Sequence, residues 1–440
     1  MNKVYSFPRG GLSFEDSSVP SRNSSVTAFL PALSLIPLIQ HTGEKAHPVV
    51  SVGDTVREGM LVARSSGAGS ANIHASVPGR IVKTVDWEME DGRRNEAFLV
   101  KMEGGFEKLG RTQEPTSWEN FLPYDIQKLI GEFGVVEMEA LGKPVAEIIS
   151  SFRNVSDPIT LVVCCVFDDP WLAADYVLCK ERPADIVEGS RIMARAVRAN
   201  RIVFAFSKDE FEMGEELVSR ALLRESSASL LLTGSRYPQH YKRELEHVLR
   251  EYAKNENFDP GTVLILGPAT LAAVNDAVRH RKPVLDRYVA VGGSSVKKPQ
   301  VMKVRLGSRV GDVFDQCGGF TKTPRCIAIG SPLMGRSVTS LDEPIVKNSF
   351  SVFASGDGSQ KKREAMSCIN CGECRSVCPV GLDPEEIYKR IKIEVPADRA
   401  GECHGCGCCE VVCPSFIPLR SSIRNYAIDN PGGSVFGENK

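Results

Sequence analysis

The chain has 440 residues, with 54 basic and 55 acidic side chains and a net charge of −1. That length predicts three or four domains. The even charge balance announces no basic face for nucleic acid, so no nucleic-acid partner is expected.

Residues 26–39, VTAFLPALSLIPLI, form the most apolar run near the N-terminus. A membrane-spanning helix needs about 20 apolar residues, and this shorter run is broken by Pro31 and Pro37. No transmembrane helix is expected, and no basic region precedes a cleavable apolar core. A protein of this kind working at a membrane would be held there by partner subunits. Residues 40–105 read as short strands, HPVVSVGDTVREGMLVAR and IHASVPGRIVKTVD, bounded by Gly53-Asp54 and Pro78-Gly79. Their order resembles a biotinyl/lipoyl-like barrel-sandwich. A carrier domain of that type bears a lysine at its hairpin tip. Here the hairpin region reads His74-Ala75-Ser76-Val77, which excludes a swinging arm and leaves His74 as a strand residue.

From residue 124 the pattern alternates helix and strand. Tyr124 to Phe133 carries apolar positions at Ile126, Leu129, Ile130 and Phe133, the spacing of one helix face. ITLVVCCVF (159–167) is a buried strand with Cys164 and Cys165 in the core, and Pro183 to Ala199 is a helix. RIVFAFS, SASLLLTG and TVLILG supply further strands. This predicts a doubly wound, Rossmann-like α/β domain.

Residues 286–355 lose that rhythm; YVAVGG, VMKVRLG and CIAIG are short strands around one helix, Val310 to Cys317. Residues 356–365 read as a polar linker containing Lys361-Lys362-Arg363, and 429–440 as a disordered tail.

The linker leads into two copies of Cys-x2-Cys-x2-Cys-x3-Cys-Pro. One is Cys368, Cys371, Cys374, Cys378 and Pro379; the other is Cys403, Cys406, Cys409, Cys413 and Pro414. This is the ligand run of a ferredoxin-type [4Fe–4S] cluster. Iron in such a cluster takes soft thiolates, and two-residue gaps let three sulfurs wrap one side of a cubane. In two-cluster ferredoxins the fourth cysteine serves the other cluster. Cys368, Cys371, Cys374 and Cys413 are therefore assigned to cluster 1, and Cys403, Cys406, Cys409 and Cys378 to cluster 2. Zinc also takes four thiolates, but its cysteine pairs are usually split by a long spacer. Cys408 lies off the pattern and reads as a packed neighbour; His404 reads as a surface or supporting residue. Thiolate clusters favour a reducing, cytoplasmic setting.

This order of parts resembles the RnfC family, the peripheral C-subunits of Rnf ion-translocating electron transport complexes. The resemblance rests on FPRGGL (7–12), HTGEKAHPVVSVGDTVREGMLV, KPVLDRYVAVGG, IAIGSPLMGRSV and the two runs CINCGECRSVCPVGLDP and CHGCGCCEVVCPSFIPL. It implies a multidomain α/β and β protein. Its parts are an N-terminal barrel-sandwich hybrid (1–115), a Rossmann-like α/β domain (116–285), a β-grasp, soluble-ligand-binding domain (286–355) and an α-helical two-[4Fe–4S] ferredoxin domain (356–428). It also implies FMN and NAD(H) as cofactors and a peripheral place on the cytoplasmic face of the cell membrane. The implied partners are membrane subunits, a ferredoxin-like iron–sulfur subunit and a soluble electron donor or acceptor.

One departure stands out. The family's flavin loop reads roughly Gly-x-x-Gly-x-Gly-Gly-Ala-Gly-Phe-Pro-Thr, whereas this chain has Gly134, Glu137, Glu139, Ala140, Gly142 and Pro144 across that stretch. Glycines there let backbone N–H groups approach a phosphate. Two carboxylates instead repel it, by about 4 kcal/mol each at ~4 Å and an effective dielectric of ~20. The family's Glu-Cys-Glu-Pro-Tyr also becomes Phe167-Asp168-Asp169-Pro170-Trp171. The expectation is an electron-transferring iron–sulfur subunit, with no catalytic side chain, whose own FMN/NADH site is lost. The alternatives are a competent NADH-oxidising FMN subunit and an assembly scaffold with vestigial clusters.

Overall fold

The computed structural model describes residues 3–15, 18–88, 94–105, 114–139, 142–225, 227–356, 358 and 364–430. The Lys361-Lys362-Arg363 cluster, Ala140 and the last ten residues lie outside them.

Four units follow one another. The first is built on two sheets. Leu33–Pro37, Arg94–Met102, Gly79–Glu88 and Thr55–Val56 lie side by side in one, and His47–Pro48, Leu61–Arg64 and Ile73–His74 in the other. Alternation along these short strands sends Ile36, Val56, Val62, Ile73, Ile81 and Phe98 into one shared core. The apolar run at 26–39 is cut between two strands that join different sheets.

The second unit is a four-stranded parallel sheet ordered Ala228–Thr233, Arg201–Ser207, Ile159–Cys165, Thr262–Leu266. These strands are continuous apolar runs because both faces are covered, one by the cluster around Phe204 and Leu161 and the other by that around Val162 and Leu245. In chain order the strands lie third, second, first, fourth. The order reverses between Ile159–Cys165 and Thr262–Leu266, and the crevice beyond their carboxyl ends is where such folds bind ligands.

In the third unit, Asp286–Gly292, Gln300–Arg305, Cys326–Ile329, Arg336–Ser337 and Ser351–Ser355 form a mixed sheet over the helix Val310–Gln316. The fourth is helical, with Glu373–Ser376, Pro384–Lys392, Cys408–Val411 and Leu419–Asp429.

The units are tied together by specific contacts. Lys347 is 2% exposed and donates to the carbonyls of Asn72 at 3.0 Å and Gly134 at 2.7 Å, joining the first three units. Burial pushes its pKa down to about 7. Arg287 pairs with Asp175 at 2.9 Å between the second and third units. The leading residues are dispersed over the molecule. Tyr5 bridges Thr233 at the edge of the parallel sheet, and Ser25–Thr27 lies beside Gln300–Arg305. Between them, Gly11 donates to the Val377 carbonyl at 2.8 Å, while Leu12 and Tyr237 exchange backbone bonds at 2.9 and 2.8 Å.

Candidate iron–sulfur centre and flavin loop

The two cysteine runs fold into matching loops. Asn370 and Gly405 take positive φ of 55° and 68°, as do Gly372 and Gly407 at 81° and 82° just before the short helices that carry the third cysteines. Each loop thereby turns twice in the left-handed sense, which favours glycine or asparagine. Two-residue gaps bring the first three cysteines of each run to line one hollow. The fourth cysteine of each run crosses over. One hollow is lined by Cys368, Cys371, Cys374 and Cys413; a second by Cys378, Cys403, Cys406 and Cys409.

These donors suit a cubane. Backbone N–H groups of Asn370, Leu382 and Gly405 lie 3.4, 3.3 and 3.4 Å from the sulfurs of Cys368, Cys378 and Cys403, bonds of the kind that tune a cluster's potential. Burial pushes the Cys403 thiol up to about 11 and raises Cys378 and Cys409 as well. Thiolates in that place call for a cationic centre.

The two hollows differ. Cys371 is exposed at the first, whereas Cys378, Cys406 and Cys409 are 8, 8 and 9% exposed at the second. Cys408 is fully buried beside Cys406 and lines the second hollow. His404 meets Glu244 of the α/β domain at 2.7 Å and Arg243 at 3.2 Å.

The second hollow also abuts the α/β domain. Tyr237 is fully buried and donates its hydroxyl to the Cys406 carbonyl at 2.6 Å. Gly10, at φ +67°, lies so close that a Cβ there would stand 2.6 Å from the Cys378 carbonyl carbon. FPRGGL is therefore a strap between cluster loop and α/β domain. Its sequence marks it, but nothing local gives away its seat; Tyr237 carries no sequence signal at all.

The glycine-poor loop folds as a hairpin after the helix Pro123–Glu132, with Val136 bridging Pro144 and Glu137 donating its backbone N–H to the Lys143 carbonyl at 2.8 Å. Its remaining glycines serve packing. A Cβ on Gly134 would stand 2.1 Å from the Asn72 carbonyl oxygen, and one on Gly142 would stand 3.3 Å from His41. Pro144 starts the helix Val145–Ser151. Glu139 reaches into the crevice at the strand-order reversal. One carboxylate oxygen accepts the Thr270 backbone N–H at 2.9 Å and the other accepts the Thr270 hydroxyl. It covers Gly267 at the N-terminus of the helix Pro268–Arg279, where a Cβ would stand 2.4 Å from the Glu139 side chain. That helix end is the natural seat of a phosphate, and a carboxylate of this chain fills it. Burial, with Asp175 nearby, raises the Glu139 carboxyl; burial, with Glu139 nearby, raises Glu137 to about 7. The acids after strand Ile159–Cys165 are also engaged. Asp168 pairs with His240, and Asp169 accepts the Trp171 backbone N–H at 2.9 Å.

Comparison with known families matches four consecutive segments: the RnfC barrel sandwich hybrid domain at residues 6–105, the Nuo51 FMN-binding domain at 130–274, the SLBB domain at 288–337 and the 4Fe-4S dicluster domain at 360–414. The chain is 30% identical to the C-subunit of the ion-translocating oxidoreductase complex of Rhodobacter capsulatus, covering 82% of this chain and 70% of that one. It is 27% identical to the C-subunit of the proton-translocating ferredoxin:NAD(+) oxidoreductase complex of Clostridium ljungdahlii (88% and 86% covered). With the C-subunit of the Na(+)-translocating ferredoxin:NAD(+) oxidoreductase complex of Acetobacterium woodii it shares 26% (81% of each).

Proposed function

Since this chain belongs to the RnfC family, the C-subunits of ion-translocating oxidoreductase complexes, we propose that it relays electrons through two [4Fe–4S] clusters with its own FMN/NADH site lost. Cys368, Cys371, Cys374 and Cys413 hold cluster 1, and Cys378, Cys403, Cys406 and Cys409 hold cluster 2. Bound there, the clusters supply one-electron transfer. The protein's part is to shape the loops, bury the sulfurs of Cys378, Cys406 and Cys409, and offer N–H groups to ligand sulfurs. The lining of the two hollows supports this reading: Cys413 lines the hollow of Cys368, Cys371 and Cys374, and Cys378 lines that of Cys403, Cys406 and Cys409.

The chain sits as a peripheral subunit on the cytoplasmic face of the cell membrane. Among the described residues no helix is long and apolar enough to cross a membrane. Its partners are the membrane subunits, a ferredoxin-like iron–sulfur subunit and a soluble donor or acceptor. The β-grasp unit and the barrel-sandwich serve as scaffold.

The match to the Nuo51 FMN-binding domain favours a second reading, a competent NADH-oxidising FMN subunit. The Glu139 carboxylate at the helix Pro268–Arg279 argues against it. Oxygen-free purification followed by counts of iron, acid-labile sulfide and flavin decides between them. Eight irons and eight sulfides per chain without flavin are expected. Stoichiometric FMN, with cluster bleaching on adding NADH, would establish the second reading instead.

A further inference from the structure

The two hollows differ in the charged side chains that line them. Glu385, at the start of the helix Pro384–Lys392, is 6% exposed and lines the hollow of Cys368, Cys371, Cys374 and Cys413. One of its oxygens lies 3.0 Å from the Cys374 sulfur, and the other is bound by the Arg375 guanidinium. Arg375 also meets Asp383 at 3.2 Å and is half exposed, so water screens it while Glu385 stays buried. Among the described residues no carboxylate lines the other hollow, where Arg420 is the lining cation; His404 also lines it, with its ring against the Glu244 carboxylate at 2.7 Å. Arg420 donates to the Gly405 carbonyl at 2.7 Å, beside the Cys406 ligand.

A negative charge against a ligand sulfur favours the oxidised cluster, because reduction adds one more negative charge; a cation favours the reduced one. We propose that Glu385 sets the Cys368 cluster at a lower reduction potential than the Cys378 cluster, so that a single electron shared by the pair settles on the buried member next to Tyr237. One electron leaves the first cluster as one enters the second, with no proton or bond exchanged. The inference rests on the reading that these eight cysteines hold clusters. It goes further by assigning the resting place of the electron and the side chain that decides it.

The test is an oxygen-free redox titration of the full chain followed by EPR, for wild type, Glu385→Gln and Arg375→Gln, after counting iron and sulfide. A Cys406→Ser chain identifies which signal belongs to which cluster. Glu385→Gln keeps the shape and removes the charge. The ratio of reduced to oxidised Cys368 cluster should rise about tenfold at fixed ambient potential, equivalent to about 59 mV for a one-electron couple, with the other cluster unmoved. Arg375→Gln should move the same cluster the opposite way, and it decides the matter should Glu385→Gln fail to hold iron. Full iron with an unmoved potential, or a shift that falls on the Cys378 cluster, overturns the inference alone. Wild-type protein lacking iron and sulfide overturns the cluster reading with it.

Discussion

The hydroxyl of Tyr237 donates to the Cys406 carbonyl at 2.6 Å, joining a fully buried side chain of the α/β domain to the middle of a cluster loop. Tyr237→Phe keeps the packing and leaves that carbonyl without its partner. A loss of about 1–2 kcal/mol is expected. A lower denaturant midpoint and faster bleaching of cluster absorbance in air would register it; unchanged values would show that the bond contributes nothing.

The crossing of Cys378 and Cys413 makes a prediction about pairs. Cys378→Ser should remove the same EPR signal as Cys406→Ser, and Cys413→Ser the same signal as Cys371→Ser. If Cys378→Ser behaves like Cys371→Ser, each run holds its own cluster and the assignment is wrong.

Glu139 accepts both the N–H and the hydroxyl of Thr270, so it acts as a cap for the helix Pro268–Arg279. Glu139→Ala should destabilise the α/β domain by about 1–2 kcal/mol, the range seen for lost caps and unpaired buried donors. Titrating wild-type protein with FMN should leave the flavin fluorescence unquenched. Quenching that saturates at one FMN per chain would contradict the lost-site reading.

Glu137 supplies a pH dependence. Its carboxyl is raised from 4.5 to about 7, first by burial and then by Glu139. The folded chain therefore holds this proton over a range where the unfolded chain releases it. The group is neutral to stability below pH ~4.5, costs progressively more as pH rises to about 7, and costs a constant amount above that. Glu137→Gln should gain up to about 3 kcal/mol at pH 8 and nothing at pH 4. Melting curves across that range check the sign; an equal gain at both ends would rule out titration as the cause.

What could be read from the amino acids depended on how local each signal is. The apolar strand read at 159–167 and the helix read at Pro183–Ala199, each observed two residues shorter as Ile159–Cys165 and Pro183–Val197, were visible because continuous burial and helical periodicity are written along adjacent residues. The cysteine spacing specified two loops, and Gly372 and Gly407 sit where those loops turn left-handed. Glu137 and Glu139 stood out only as departures from a family pattern. That Glu139 reaches Thr270 was not legible, since the two lie far apart in sequence and meet only once the parallel sheet sets its strand order. The same holds for Lys347 between Asn72 and Gly134, and for Ser25–Thr27, which joins the sheet of the third unit. Glu385, in the first turn of the helix Pro384–Lys392, was not singled out by any sequence feature.

The strap at Gly10 and Gly11 bears on how the molecule matures. Its seat is made from Cys378, Pro379 and Tyr237, so the ribosome releases the strap long before the residues that receive it. Tyr5 and Leu12 pair with the α/β domain, whereas Gly10 and Gly11 between them meet the loop of Cys378, which is made much later. If cluster assembly shapes that loop, as proposed, limited proteolysis around Arg9 should slow once iron is installed, and equal cleavage with and without iron would show that the strap seats independently of it.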